Sequence, residues 1–175
     1  MGMRYADLDP ILEELAREGR IGIGAGNMIN LKRQIAKIMP PKASNQLVGN
    51  TGLFYVCYEL SKRGWNCLPT SRNAKGPDLV IYSQNAEKKN AVQVKTLSRR
   101  NPVPFGTSPN LIADFLIVCV LQDVPEVYVL TKKEALKPLH KGEREGRISY
   151  WLQPSSYEEH KDCWHKIGDG FDIKG

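Results

Sequence analysis

Long apolar runs are missing from this chain of 175 residues. None approaches the roughly 18 residues that a bilayer span requires, and the opening MGMRYADLDP has no apolar signal core. Neither a membrane nor export is expected. Cysteine is scarce and scattered. Cys57, Cys67, Cys119 and Cys163 form no C-x-x-C pair, and three of them lie in apolar or aromatic stretches, so they read as free thiols in a reducing, cytoplasmic setting. Histidine is confined to His140, His160 and His165, and the nearest two are five residues apart rather than the four of a helical metal pair. No serine or cysteine sits in a nucleophile elbow, and there is no Walker-type loop. The alternating Gly22, Gly24 and Gly26 follow no strand of adequate length, so GIGAGN reads as a flexible turn rather than a phosphate loop.

What is present is ordinary globular material. With 41% hydrophobic and 25% charged residues the chain is neither disordered nor fibrous, and its length suits one main core with a small appendage. Lys and Arg number 25 against 19 Asp and Glu, a net charge of +6. That excess suits a polyanionic partner such as nucleic acid, although many proteins without one are as basic.

Asp9-Pro10 followed by ILEELAREGR predicts a capped helix ending at Gly19, with Leu12 and Leu15 inward. MINLKRQIAKIMPP predicts a second helix, its stripe Leu31, Ile35 and Ile38 and its basic side Lys32, Arg33 and Lys37. PKASNQLVG reads as a linker, so residues 1–48 form a helical extension and linker and residues 49–175 the main domain. There GNTGLFYVCYELSKRG carries Leu53, Val56, Cys57 and Leu60 on one helical stripe and stops at Gly64.

Strands are expected at WNCLPT, PDLVIY, AVQVKTL, DFLIVCVL and EVYVLT, with a helix in TKKEALKPLH. SRRNPVPFGTSPNLIA, with three prolines, reads as a long loop of the kind that is often functional. The tail offers a strand into Trp151 and an aromatic-rich helix through Trp164. The order implies an α/β domain, a central mixed β-sheet flanked by helices, with the N-terminal helical extension in front.

Two of these strands carry charges where apolar residues belong. Side chains alternate along a strand, so Asp78, Val80 and Tyr82 share one face, and Gln93 and Lys95 share another. If PDLVIY and AVQVKTL pair as a hairpin across SQNAEKKN, a carboxylate, a carboxamide and an ammonium converge. Such charges near a core must be paired or hold a ligand. A plain Asp78–Lys95 ion pair is one account of them.

The other account comes from the whole pattern. Pro77-Asp78 opens one strand, and 14 residues (79–92) separate Asp78 from Gln93-Val94-Lys95. Around these lie a glycine-rich helix start, an L-x-x-x-G-W exit into the first strand, a basic loop, Asp78-Leu79-Val80 and Gln93-Val94-Lys95-Thr96. Over about fifty residues (49–96) this resembles the PD-(D/E)XK nuclease superfamily, in the Mrr-like variant whose signature is D…QxK. The resemblance implies a restriction-endonuclease-like core and a metal-dependent DNA endonuclease. It implies Mg²⁺, replaceable by Mn²⁺, held by Asp78, the amide of Gln93 and the backbone carbonyl of Val94, with Lys95 steadying the charge that develops on water or phosphate. Asp78, Gln93 and Lys95 are then the catalytic residues.

Arg72, Lys75, Arg99 and Arg100 flank these positions and suit backbone phosphates. Double-strand cleavage implies two sites and hence a homodimer. The family's helix acid, in a G-x-x-G-E run, is here Leu53, in Gly49-Asn50-Thr51-Gly52-Leu53. Asn50, within about 60° of Leu53 on a helix, is the accessory candidate. A nuclease-fold module that binds DNA without cleaving it, or one built for protein contacts, stands as the alternative.

Overall fold

The computed structural model describes residues 44–71 and 76–171, together with Glu14 and Arg17, both helical and exposed. The predicted N-terminal helices otherwise lie outside the described residues, as do Arg72 and Lys75. Asn45–Gly175 forms one compact unit.

Helix α1 spans Asn45–Ser61 and buries Gly52, Val56 and Leu60, which recur at the spacing that puts one stripe on a helix. It starts earlier than expected, so Asn45–Gly49, read as linker, is already helical. After α1 the chain turns through Gly64, at φ +83°, where a Cβ would meet the backbone of Phe171 and Gly170. Only glycine fits that corner without strain.

The main sheet has five strands: β1 (Asn66–Pro69), β2 (Leu79–Tyr82), β3 (Lys89–Leu97), β5 (Phe115–Val120) and β6 (Glu126–Thr131), in the order β1-β2-β3-β5-β6. All neighbours are antiparallel except β3 and β5, which run parallel from Val92↔Phe115 to Leu97↔Val120. The sheet is therefore mixed, as expected, and the β2–β3 hairpin forms as the alternation implied. β5 is an interior strand, between β3 and β6. Its run LIVCV is buried at every position because both faces of the sheet are covered. Ile117 and Cys119 join Val56, Leu60, Val92 and Val94 under α1, while Leu116, Val118 and Val120 join the opposite cluster with Val103, Leu111 and Leu152.

The second cluster is roofed by short α2 (Lys132–Leu136) and a second sheet of β4 (Val103–Gly106), β8 (Arg147–Leu152) and β7 (His140–Arg144). Thr131 caps α2 in a reciprocal box with Glu134.

Two expectations need correction here. The proline-rich loop contains β4, because its edge position against β8 lets Pro104 sit in a strand without wasting a ladder donor. The helix expected through Trp164 is instead three 3-10 turns, Pro154–Ser156, Glu158–His160 and Trp164–Lys166. Lys161 in extended backbone and Asp162 at φ +54° break any continuous helix there.

Candidate functional site

Asp78 stands one residue before β2, and its backbone is fixed on both sides. Its N–H donates to Val92 O at 3.0 Å, and its carbonyl accepts Thr70 N–H at 2.9 Å. Thr70 Oγ1 donates to the neighbouring Pro77 carbonyl at 2.7 Å. The β2–β3 register stops at Leu79↔Val92. Beyond it the Asp78 side chain replaces the missing strand: Val94 N–H donates to Asp78 Oδ2 at 2.8 Å, and the Gln93 amide Nε2 donates to the same oxygen. Among the described residues no hydrogen bond reaches Asp78 Oδ1.

Leu79 and Ile81 belong to the core under α1, as do Val92 and Val94, so Asp78, Gln93 and Lys95 take the opposite side of the sheet. All three are half-buried. Burial raises the Asp78 carboxyl above its ordinary value of 3.8, against the pull of the Val94 N–H and the Lys95 charge. Lys95 thus acts on Asp78 electrostatically, yet no ion pair within 4.0 Å joins them. The plain salt bridge is not formed.

Lys95 and Gln93 instead line a cleft of about 160 Å³, shared with Gly76 on the sheet side and with Phe105 and residues 110–112 on the other. The loop that closes it is pinned by Asp114, whose N–H donates to Ala91 O at 2.9 Å and whose Oδ2 accepts Ala91 N–H at 2.8 Å. Sequence reasoning missed Phe105 and Asn110–Ile112. The one available signal was the length of the proline-rich segment.

The donor set suits a hard divalent ion only modestly. No group of three or more His, Cys, Asp or Glu side chains gathers among the described residues. Asp78 is half-buried, its Oδ1 has no hydrogen bond among the described residues, and burial raises its carboxyl pKa, an effect a cation would oppose. Mg²⁺ commonly uses one or two carboxylates and takes its other ligands from water and phosphate. Gln93 now faces Asp78 through its NH₂ group, so ligation through its oxygen would require the amide to turn.

The remaining candidates are placed as follows. Arg99 is exposed just past β3. Arg100 is taken up in a structural network, its guanidinium forked on Glu126 at 2.8 and 2.9 Å. Lys161 and Tyr128 also bind Glu126, and the Arg100 and Lys161 partners hold that carboxyl down at about 2. Asn50 lies on α1, which covers the other face of the sheet. There Gly52 meets Thr96, and Leu53 packs against the apolar cluster.

No protein-family description matches this chain, and no curated protein does. Among solved structures, that of a bacterial homing endonuclease aligns with a TM-score of 0.51 at 20% identity, covering 73% of this chain and 93% of that one. At that identity the likeness is one of fold. The chain has the α/β fold of a known nuclease.

Proposed function

We propose that the protein is a metal-dependent DNA endonuclease of the PD-(D/E)XK superfamily, in its D…QxK variant. The observation that carries this is the Asp78 carboxylate, with Oδ2 fastened by Gln93 and Val94 and Oδ1 without a donor among the described residues, on the side of the sheet where Lys95 lines an open cleft. A structural aspartate would be expected to use both oxygens or to pair with the nearest cation.

Mg²⁺, or Mn²⁺ in its place, would be held by Asp78, with Gln93 and the Val94 carbonyl as accessory ligands. When bound it supplies an activated water and relief of charge on the phosphate. The other steps belong to the chain. Lys95 steadies the negative charge that builds on the attacking oxygen and the phosphate. Gln93 and the Val94 N–H orient Asp78, and Arg99, with Arg72 and Lys75, draws the phosphate backbone toward the cleft. The residues before 49 would add DNA contacts or the surface of a homodimer.

A second reading has its own observation. Leu53 fills the position of the family's helix acid and packs on the core, which leaves one carboxylate at the site among the described residues. That favours a module that binds DNA without cutting it. Incubating the purified chain with supercoiled plasmid and Mg²⁺ or Mn²⁺, beside Asp78→Ala and Lys95→Ala, separates the two. The endonuclease nicks the plasmid and neither variant does. A wild type that binds the plasmid in a salt-dependent manner but never nicks it leaves the binding module.

A further inference from the structure

The cleft beside Lys95 has two chemically different walls. On the sheet side stand the Lys95 ammonium, the Gln93 amide and Gly76; facing them are Phe105 from β4 and the Asn110–Ile112 loop. Ile112 is 64% exposed although its neighbours Leu111 and Ala113 are buried at 4% and 6%. Those two anchors, with the double hydrogen bond between Asp114 and Ala91, fix where Ile112 sits on the rim. Phe105 is itself braced against the second core cluster. Asn110 Oδ1 accepts the Leu111 N–H at 2.8 Å, which turns the carboxamide by its oxygen and leaves the NH₂ as the group able to donate outward.

A cation, an aromatic face, an aliphatic rim and an amide donor together match a nucleotide: phosphate for Lys95, base face for Phe105 and Ile112, base edge for Asn110. At about 160 Å³ the cleft is smaller than the roughly 300–1,000 Å³ of sites for drug-sized ligands. That volume suits a single base or sugar.

Resting on the nuclease reading, we propose that this cleft receives the base next to the phosphate held at Lys95, and that the protein therefore prefers nucleic acid with a locally unpaired base. A paired base is stacked and has its edge occupied, so entering a lateral cleft requires it to leave the helix and give up its stacking and pairing. A single strand or a mismatched bubble is already open. Stacking against an aromatic ring then holds the open base in place.

The test measures binding of the full chain by fluorescence anisotropy in EDTA, so that cleavage does not intrude. Three labelled oligonucleotides of equal length are compared: a single strand, a duplex with a central mismatched bubble, and the fully paired duplex. The bubble and the single strand are expected to bind about tenfold tighter than the paired duplex. Phe105→Leu, which keeps apolar bulk, and Ile112→Ser, at an exposed position, are expected to erase most of that difference while leaving paired-duplex affinity within about twofold. Equal affinity of wild type for bubble and paired duplex overturns the inference but leaves the nuclease reading standing. So does a bubble preference that survives in both variants. Failure to bind any of the three overturns both.

Discussion

Replacing Gly52 by alanine sets two known effects against each other at the point where α1 touches β3. In an isolated helix the change would stabilise by about 1 kcal/mol, because glycine is a poor helix former. Here a Cβ at Gly52 would stand 2.8 Å from Thr96 Cβ and closer still to Thr96 Oγ1 and Cγ2. Thr96 belongs to a central strand, so neither partner can swing aside, and overpacking of this kind costs about 1–3 kcal/mol. The net expectation is a loss on the order of 1 kcal/mol, or about 4 °C in Tm for a unit of this size. Thermal and denaturant unfolding followed by circular dichroism measure it. Thr96→Ala removes two of the three crowding atoms, so in that background the cost of Gly52→Ala should shrink, a coupling of about 0.5 kcal/mol or more. Plasmid nicking should fall further than the folded fraction explains, because the displaced strand carries Lys95 one residue away. If Gly52→Ala raises Tm, or costs the same with and without Thr96, the close approach is not the reason for glycine there.

Asp78→Asn should abolish nicking yet raise Tm at neutral pH, because one amide oxygen can keep both the Gln93 and Val94 donors while a half-buried charge is removed. The Asp78 pKa is raised on folding, so its contribution is most favourable below the ordinary value of 3.8 and is lost as pH climbs through the folded value. A Tm-versus-pH comparison should therefore show the gain of Asp78→Asn opening over that acidic window and level above it; a gain that is largest at the acidic end would refute the assignment. Arg99→Ala should lower the slope of log affinity for DNA against log salt by about 1, whereas Arg100→Ala, whose side chain is spent on Glu126, should leave the slope unchanged. Among the thiols, Cys67 should alkylate first with iodoacetamide, its rate rising through pH 7. Donation from the Cys57 thiol and the Ser61 hydroxyl to its sulfur holds it down at about 7 while burial pushes Cys119 up to about 11. Peptide mass mapping reads the order, and prior labelling of Cys119 would refute it.

The parts of the fold that were legible are those where local pattern and burial agree. FLIVCV is apolar at every place because β5 is covered on both faces, and burial alternates along LVIY because one of its sides faces the core under α1. The convergence of Asp78 with Gln93 followed from strand alternation and one hairpin. What alternation could not supply was the partner of each polar atom. The Asp78 carboxylate holding Val94 N–H depends on where the ladder stops, and Arg100 meeting Glu126 depends on a pairing between strands far apart in sequence. The strand status of β4 was hidden for the same reason. VPFG has no strand signature of its own and is a strand only because β8 lies beside it.

That last pairing joins Val103 to Leu152, residues separated by 49 positions along the chain. During synthesis Asp78, Gln93 and Lys95 all leave the ribosome well before the strand that seats Phe105 has been made. The second sheet is therefore completed only after those residues have been made, and a nascent chain that already carries Asp78, Gln93 and Lys95 still lacks the strand that supports the facing wall of the cleft.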